Sequence, residues 1–174
     1  MKRFLTVVCA LGLFALISCS AFAQGGARGK ADVTVGSAKV SVEYGRPALK
    51  GRTIQDMLGQ LPAGGFWRLG SNKSTTFSTS ADLDFGGTTV PKGEYSLWAQ
   101  KQADNSWKLV FNSQHGQWGT DHDPAKDAVS VPLTEGKLST PAEQVTINLA
   151  QEGSGGKITI QWGDLELSAT FAAK

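Results

Sequence analysis

The stretch VTINLAQEGSGGKITIQWG, residues 145–163, decides the fold. Val145, Ile147 and Leu149 share one parity, and Ile158, Ile160 and Trp162 repeat it beyond Gly153-Ser154-Gly155-Gly156. An apolar period of two puts alternate side chains on one face of an extended chain, so each run reads as a half-buried strand. The Gly-rich segment between them marks a chain reversal, which makes the two strands neighbours in a hairpin. Gly163-Asp164 leads on to Leu165, Leu167, Ala169 and Phe171, so the C-terminal part is a meander.

The same period recurs upstream. Val40, Val42 and Tyr44 alternate with Lys39, Ser41 and Glu43; Tyr95, Leu97 and Ala99 with Glu94, Ser96 and Trp98; and Trp107, Leu109 and Phe111 with Lys108, Val110 and Asn112. Asp84-Phe85-Gly86-Gly87 and Pro91-Lys92-Gly93 bracket a short strand at 88–90. The pattern predicts about nine to eleven strands. The best helical segment is short, TIQDML at 53–58, with Thr53 able to cap it. The expected fold is all-β, a single antiparallel β-sandwich for which a jelly roll is one available topology. A chain of 174 residues suits one such domain.

The chain opens with Lys2-Arg3, and 4–17 is an apolar run too short to span a bilayer. Residues 1–23 are therefore expected to be an export signal, followed by a flexible leader (24–30) and the β-domain (31–174). Ala21-Phe22-Ala23 is an A-x-A cleavage pattern, giving a mature chain that starts at Gln24 in the periplasm or outside the cell. The alternative is Leu16-Ile17-Ser18-Cys19, which resembles a lipobox and would make the protein an outer-membrane lipoprotein acylated at Cys19. Cleavage after Ala23 is the expected outcome. Both cysteines, Cys9 and Cys19, precede that cut, leaving no thiol for a disulfide, a nucleophile or a metal ligand.

Of the 17 Lys and Arg residues, Lys2 and Arg3 fall in the signal, so 15 remain against 15 Asp and Glu. A neutral domain without a block of like charge argues against nucleic acid or an anionic membrane surface as its main partner. No transmembrane segment is expected in the mature form.

Two long connections interrupt the strands, at 45–72 and 112–127. Long loops in a compact domain are more often functional than strands are. The first carries Arg46, Lys50, Arg52, Arg68 and Asn72, a set that could take an oxyanion, since guanidinium binds carboxylate or phosphate with paired hydrogen bonds. Trp67 and Trp118 lie in or beside the loops and could stack on a sugar ring. The competing reading has Arg46 and Arg68 paired with Glu43 or Asp56 to pin the loop, and both tryptophans plugging the ends of the sandwich. The second connection carries His115, Asp121, His122 and Asp123, residue types that bind divalent metals. They lack the helical spacing of a zinc-protease motif, and a solvated turn is the plainer explanation. There is no G-x-S-x-G elbow. Trp107 and Trp162 share parity with core residues, whereas Trp98 sits on the opposite face and could meet a second layer.

Several of these blocks carry a resemblance. Val42-Glu43-Tyr44-Gly45-Arg46-Pro47, Lys50-Gly51-Arg52, Trp67-Arg68-Leu69-Gly70-Ser71-Asn72 and Thr75-Thr76-Phe77 come in order. Pro91-Lys92-Gly93-Glu94-Tyr95-Ser96-Leu97 and Gly116-Gln117-Trp118-Gly119-Thr120 continue it. Together they resemble a family of secreted bacterial proteins catalogued as domain of unknown function 2911. The resemblance runs through nearly all of 31–174 and implies an exported, β-rich domain. It implies no reaction, cofactor or catalytic residue. The Asp121-His122-Asp123 tract falls outside it.

The expected function is a non-enzymatic binding or envelope-associated module for a small polar or anionic ligand or a glycan, with no cofactor. Arg46, Arg68 and Asn72 would hold the ligand, with Trp67 and Trp118 near. The alternatives are a small exported hydrolase using the same loop cleft, and a structural protein of the envelope.

Overall fold

The computed structural model describes residues 28–174. The expected export signal (1–23), the acylation site Cys19 and positions 24–27 of the leader lie outside the described residues. Among the described residues, no helix is long and apolar enough to cross a membrane.

The architecture is all-β and antiparallel. The strands are β1 (Arg28–Val35), β2 (Ala38–Gly45), β3 (Phe66–Trp67), β4 (Thr76–Thr79), β5 (Leu83–Phe85), β6 (Thr88–Val90), β7 (Gly93–Lys101), β8 (Trp107–Asn112), β9 (Asp127–Glu152) and β10 (Gly155–Ala173). They hydrogen-bond in the order β1-β2-β4-β7-β8-β9-β10-β5-β6, and β3 pairs with β7 beyond the end of β4. The hairpin expected across 153–156 is present, with Ile158 opposite Leu149 and Ile160 opposite Ile147. One expectation is corrected. Positions 28–30, assigned to the flexible leader, belong to β1, because Gly45, Tyr44 and Glu43 of β2 offer them a ladder and Glu43 accepts a hydrogen bond from the Arg28 guanidinium.

The length of β9 and β10 is what bends the sheet around a core. The first residues of β9 pair with β8, up to Trp107 opposite Leu133; from Thr134 on, β9 pairs with β10. The end of β10 then takes β5, with Ala173 opposite Leu83. On the other side, the chain leaving β2 reaches β9: Val145 N–H donates to the Pro47 carbonyl (3.1 Å) and Leu49 N–H to that of Glu143 (2.9 Å). The two halves thus face one another across Val42, Phe77, Leu97, Phe111, Ile147, Ile160 and Leu167, all buried. Each such side chain contributes about 1.5–3 kcal/mol by leaving water. At one end of this core, Trp67 stacks on Trp162 (centroids 5.7 Å apart, 17° between planes) and meets the edge of Trp107 at 6.4 Å.

One irregularity shapes that end. Gly163 is opposite Ala142 but Leu165 is opposite Lys137, so four residues of β9 oppose the single residue Asp164. Such a bulge re-aims side chains and bends the strand. Gly163 has φ +59°, which a residue with a Cβ rarely adopts, and a Cβ there would sit 3.0 Å from Ile54 Cβ. Ile54 opens α1 (Ile54–Leu58), the short helix expected at this place. Thr53 caps it: its hydroxyl accepts from Asp56 N–H, and Asp56 accepts from Thr53 N–H (2.7 Å). Those bonds from the Thr53 backbone and hydroxyl hold the Asp56 carboxyl below the usual carboxylate range.

Candidate functional site

Where do the two long connections go? They meet. Ser74 N–H donates to the Gln117 carbonyl (2.9 Å) and Gly119 N–H to the Asn72 carbonyl (2.7 Å), with Lys73 opposite Trp118. This is a short antiparallel ladder between 72–74 and 117–119. Asn72 enters it at φ +64°, a conformation its short polar side chain tolerates better than most. Leu69, wholly buried, stands at φ +55°, where a Leu is under strain of roughly 1–3 kcal/mol. The Thr75 hydroxyl braces this bend by donating to the Leu69 carbonyl (3.1 Å).

The ladder gathers three of the five residues expected to bind a ligand. Asn72 and Trp118 belong to it. Arg68 lies alongside, its Cδ 3.4 Å from where a Cβ on Gly119 would be. Arg68 is half-buried, and among the described residues its guanidinium donates no hydrogen bond and pairs with no carboxylate. Trp118 is 53% exposed, the one large hydrophobic side chain in that state among the described residues. Lys73 and Ser74 also line a groove of ≈ 290 Å³ over the outer face of β1, β2, β4 and β7.

The remaining two are elsewhere. Trp67 is in the core, 6% exposed, beneath Trp162. Arg46 turns to β9, where its Nε donates to the Val145 carbonyl (3.4 Å) and a terminal nitrogen to the Thr146 hydroxyl (3.5 Å). Neither arginine pairs with the acids suggested by the sequence: Glu43 is taken by Arg28, and Asp56 by the helix cap.

The His and Asp residues of the second connection take separate places. His115 approaches Glu94 at 3.5 Å on the surface. Asp121 accepts from the neighbouring Thr120 hydroxyl (3.3 Å), and Asp123 caps the turn at Ala125 N–H (3.1 Å). His122 alone is enclosed. Its ring lies between Phe66 (centroids 4.2 Å apart) and Trp98 (4.6 Å), and its Nε2 is 2.8 Å from Asp127 Oδ1. Asp127 also accepts from the buried Asn112 side chain (2.7 Å). Among the described residues, no three His, Cys, Asp or Glu side chains converge as a metal site requires.

This clasp explains Trp98. The residue points away from the main core, as its parity requires, yet is only 4% exposed because the second connection covers it. Its indole N–H donates to Ser96 Oγ (3.0 Å), which also accepts from Gln117 Nε2 (3.2 Å).

Fold and site define a class: an all-β antiparallel domain whose two long connections join over one face of the sheet. The chain belongs to the family described as "Protein of unknown function (DUF2911)", whose model matches residues 27–171. No curated protein matches it, and no solved structure matches it.

Sequence reasoning missed Lys73, although it adjoins Asn72, because no pattern distinguishes it from other exposed lysines. It also missed a second cleft, beside α1, whose residues come from four separate segments, 54–59, 101–107, 135–137 and 164–165.

Proposed function

We propose that this protein is an exported, non-enzymatic binding module for a small ligand or glycan unit that carries an oxyanion, taken at Arg68, Asn72, Lys73 and Trp118. The observation that carries the reading is Arg68. A half-buried guanidinium with no acceptor among the described residues has lost part of its hydration without compensation from them, and an anionic ligand would supply the missing bonds. Lys73 adds a second positive charge to the same ladder. Trp118 offers an exposed apolar face beside them, suited to a sugar ring or other flat surface. Export rests on the N-terminal pattern at 1–23.

Calorimetric titration with acidic saccharides and with inorganic sulfate tests the reading. Binding is expected to weaken with added salt, and to fall roughly tenfold or more in Arg68→Gln, the loss of one charge-assisted contact. Equal affinity in wild type and Arg68→Gln, or no uptake of any anionic probe, would overturn it.

A further inference from the structure

The cleft beside α1 is a different kind of place. It holds ≈ 330 Å³, within the range of small-molecule sites. One wall is α1, with Ile54 and Leu58 half-buried. The opposite wall is the bulged part of β9 and β10, with Glu135, Lys137, Asp164 and Leu165. Trp107 and Lys101 close it from β8 and β7.

Its construction argues for a ligand. The bulge leaves Asp164 without an ordinary ladder neighbour, and the left-handed Gly163 lets α1 come close. The charges along its open rim balance: Lys101 and Lys137 against Glu135 and Asp164. Lys137 and Asp164 are 3.2 Å apart. Glu135 accepts the Trp107 indole N–H through Oε2 (3.1 Å), leaving its Oε1 without a hydrogen bond from any described residue. The Lys101 ammonium likewise has no partner among the described residues. A wall with equal numbers of cations and anions attracts neither charge in particular, but each group is a strong hydrogen-bond partner for a hydroxyl. Leu58, Leu165 and Trp107 supply apolar surface between them.

From this juxtaposition we infer that the α1 cleft binds a neutral saccharide unit. Carboxylates at Glu135 and Asp164 accept from vicinal hydroxyls, Lys101 donates to a ring or hydroxyl oxygen, and the C–H face packs on Leu58 and Leu165. The site is independent of the Arg68 surface, and the two can fail separately.

Two-dimensional amide and indole NMR of the exported domain, titrated in turn with N-acetylglucosamine, maltose and cellobiose, tests the inference. At least one of these neutral sugars is expected to move the Trp107 indole and the α1 amides while leaving the Trp118 indole in place. Glu135→Gln keeps an acceptor for the Trp107 indole, so the fold should survive, yet affinity should drop roughly tenfold. Leu58→Ala, at a half-buried position, provides a second variant with the same expected loss of binding. Three results would overturn the inference: no movement with any of the neutral sugars, a stronger response of the same signals to glucuronate or sulfate, or unchanged affinity in both variants. Release of new reducing ends from maltose or cellobiose would also overturn it, by making the cleft a hydrolytic centre rather than a binding site.

Discussion

The connection from β2 to β4 (46–75) and the connection from β8 to β9 (113–126) are both long, but they are held by different physics. The first sends Trp67 and Leu69 into the main core, where Trp67 stacks on Trp162. The second lies on the outer face of β7 and β8 and is held there by His122 between two rings, by Asp127 and by Gln117. Core contacts are lost only when the domain unfolds, whereas a surface clasp can open by itself. The hydrogen bonds between 72–74 and 117–119 join the two connections at the proposed ligand surface.

The comparison can be broken most directly at Trp67. Trp67→Ala should cost about 3–5 kcal/mol, the usual range for removing a buried Trp, read from the urea unfolding midpoint. A loss under about 1 kcal/mol would mean that the first connection is not a core element.

His122→Ala probes the other side. It should lower global stability by about 2–3 kcal/mol, the scale of two aromatic contacts and one hydrogen bond and still less than Trp67→Ala. Hydrogen exchange in 113–126 should accelerate while the amides of 66–69 stay protected. Equal acceleration in both segments would erase the distinction.

Lys50→Gly acts on the first connection away from its anchor. Lys50 has φ +53° and is exposed, so Gly removes backbone strain at the expense of a more flexible unfolded chain. The expected net gain is small, at most about 1 kcal/mol, seen as a slightly raised Tm. A clear loss would show that the Lys50 side chain carries a contact of its own.

The smallest effect is at the α1 cap. The folded state lowers the Asp56 pKa, so its stabilising contribution is complete above the ordinary carboxylate value of about 3.9 and fades as pH falls through the lowered value. Asp56→Ala should therefore lower Tm slightly at neutral pH, and the gap to wild type should close as the solution is acidified. A gap that persists in strong acid would rule out the carboxylate as its cause.

How much of this was legible beforehand varies with the range of the interaction involved. Residues 145–163 showed their strands, their turn and their buried parity, because all three depend on neighbours two to six positions away. The helix at 53–58 and its Thr53 cap were readable for the same reason. Trp67 and Trp118 were read alike, as ligand platforms or as plugs in the ends of the sandwich; β3 is two residues long and shows no alternation, so the sequence did not reveal that Trp67 is the buried one and Trp118 the exposed one. Arg46 and Arg68 looked equivalent, yet one finds β9 a hundred residues away and the other finds no acceptor among the described residues.

By itself, then, the sequence determined the all-β class, the faces of the strands, the short capped helix and the balance of charge, since these follow from local periodicity and counting. Only the tertiary structure decided that 72–74 meets 117–119, that Trp98 lies under a His122 clasp, and that Glu135, Asp164 and Lys101 share one cleft. Those are encounters between distant segments, and their partners are set by how β9 and β10 bend the sheet, which no local pattern encodes.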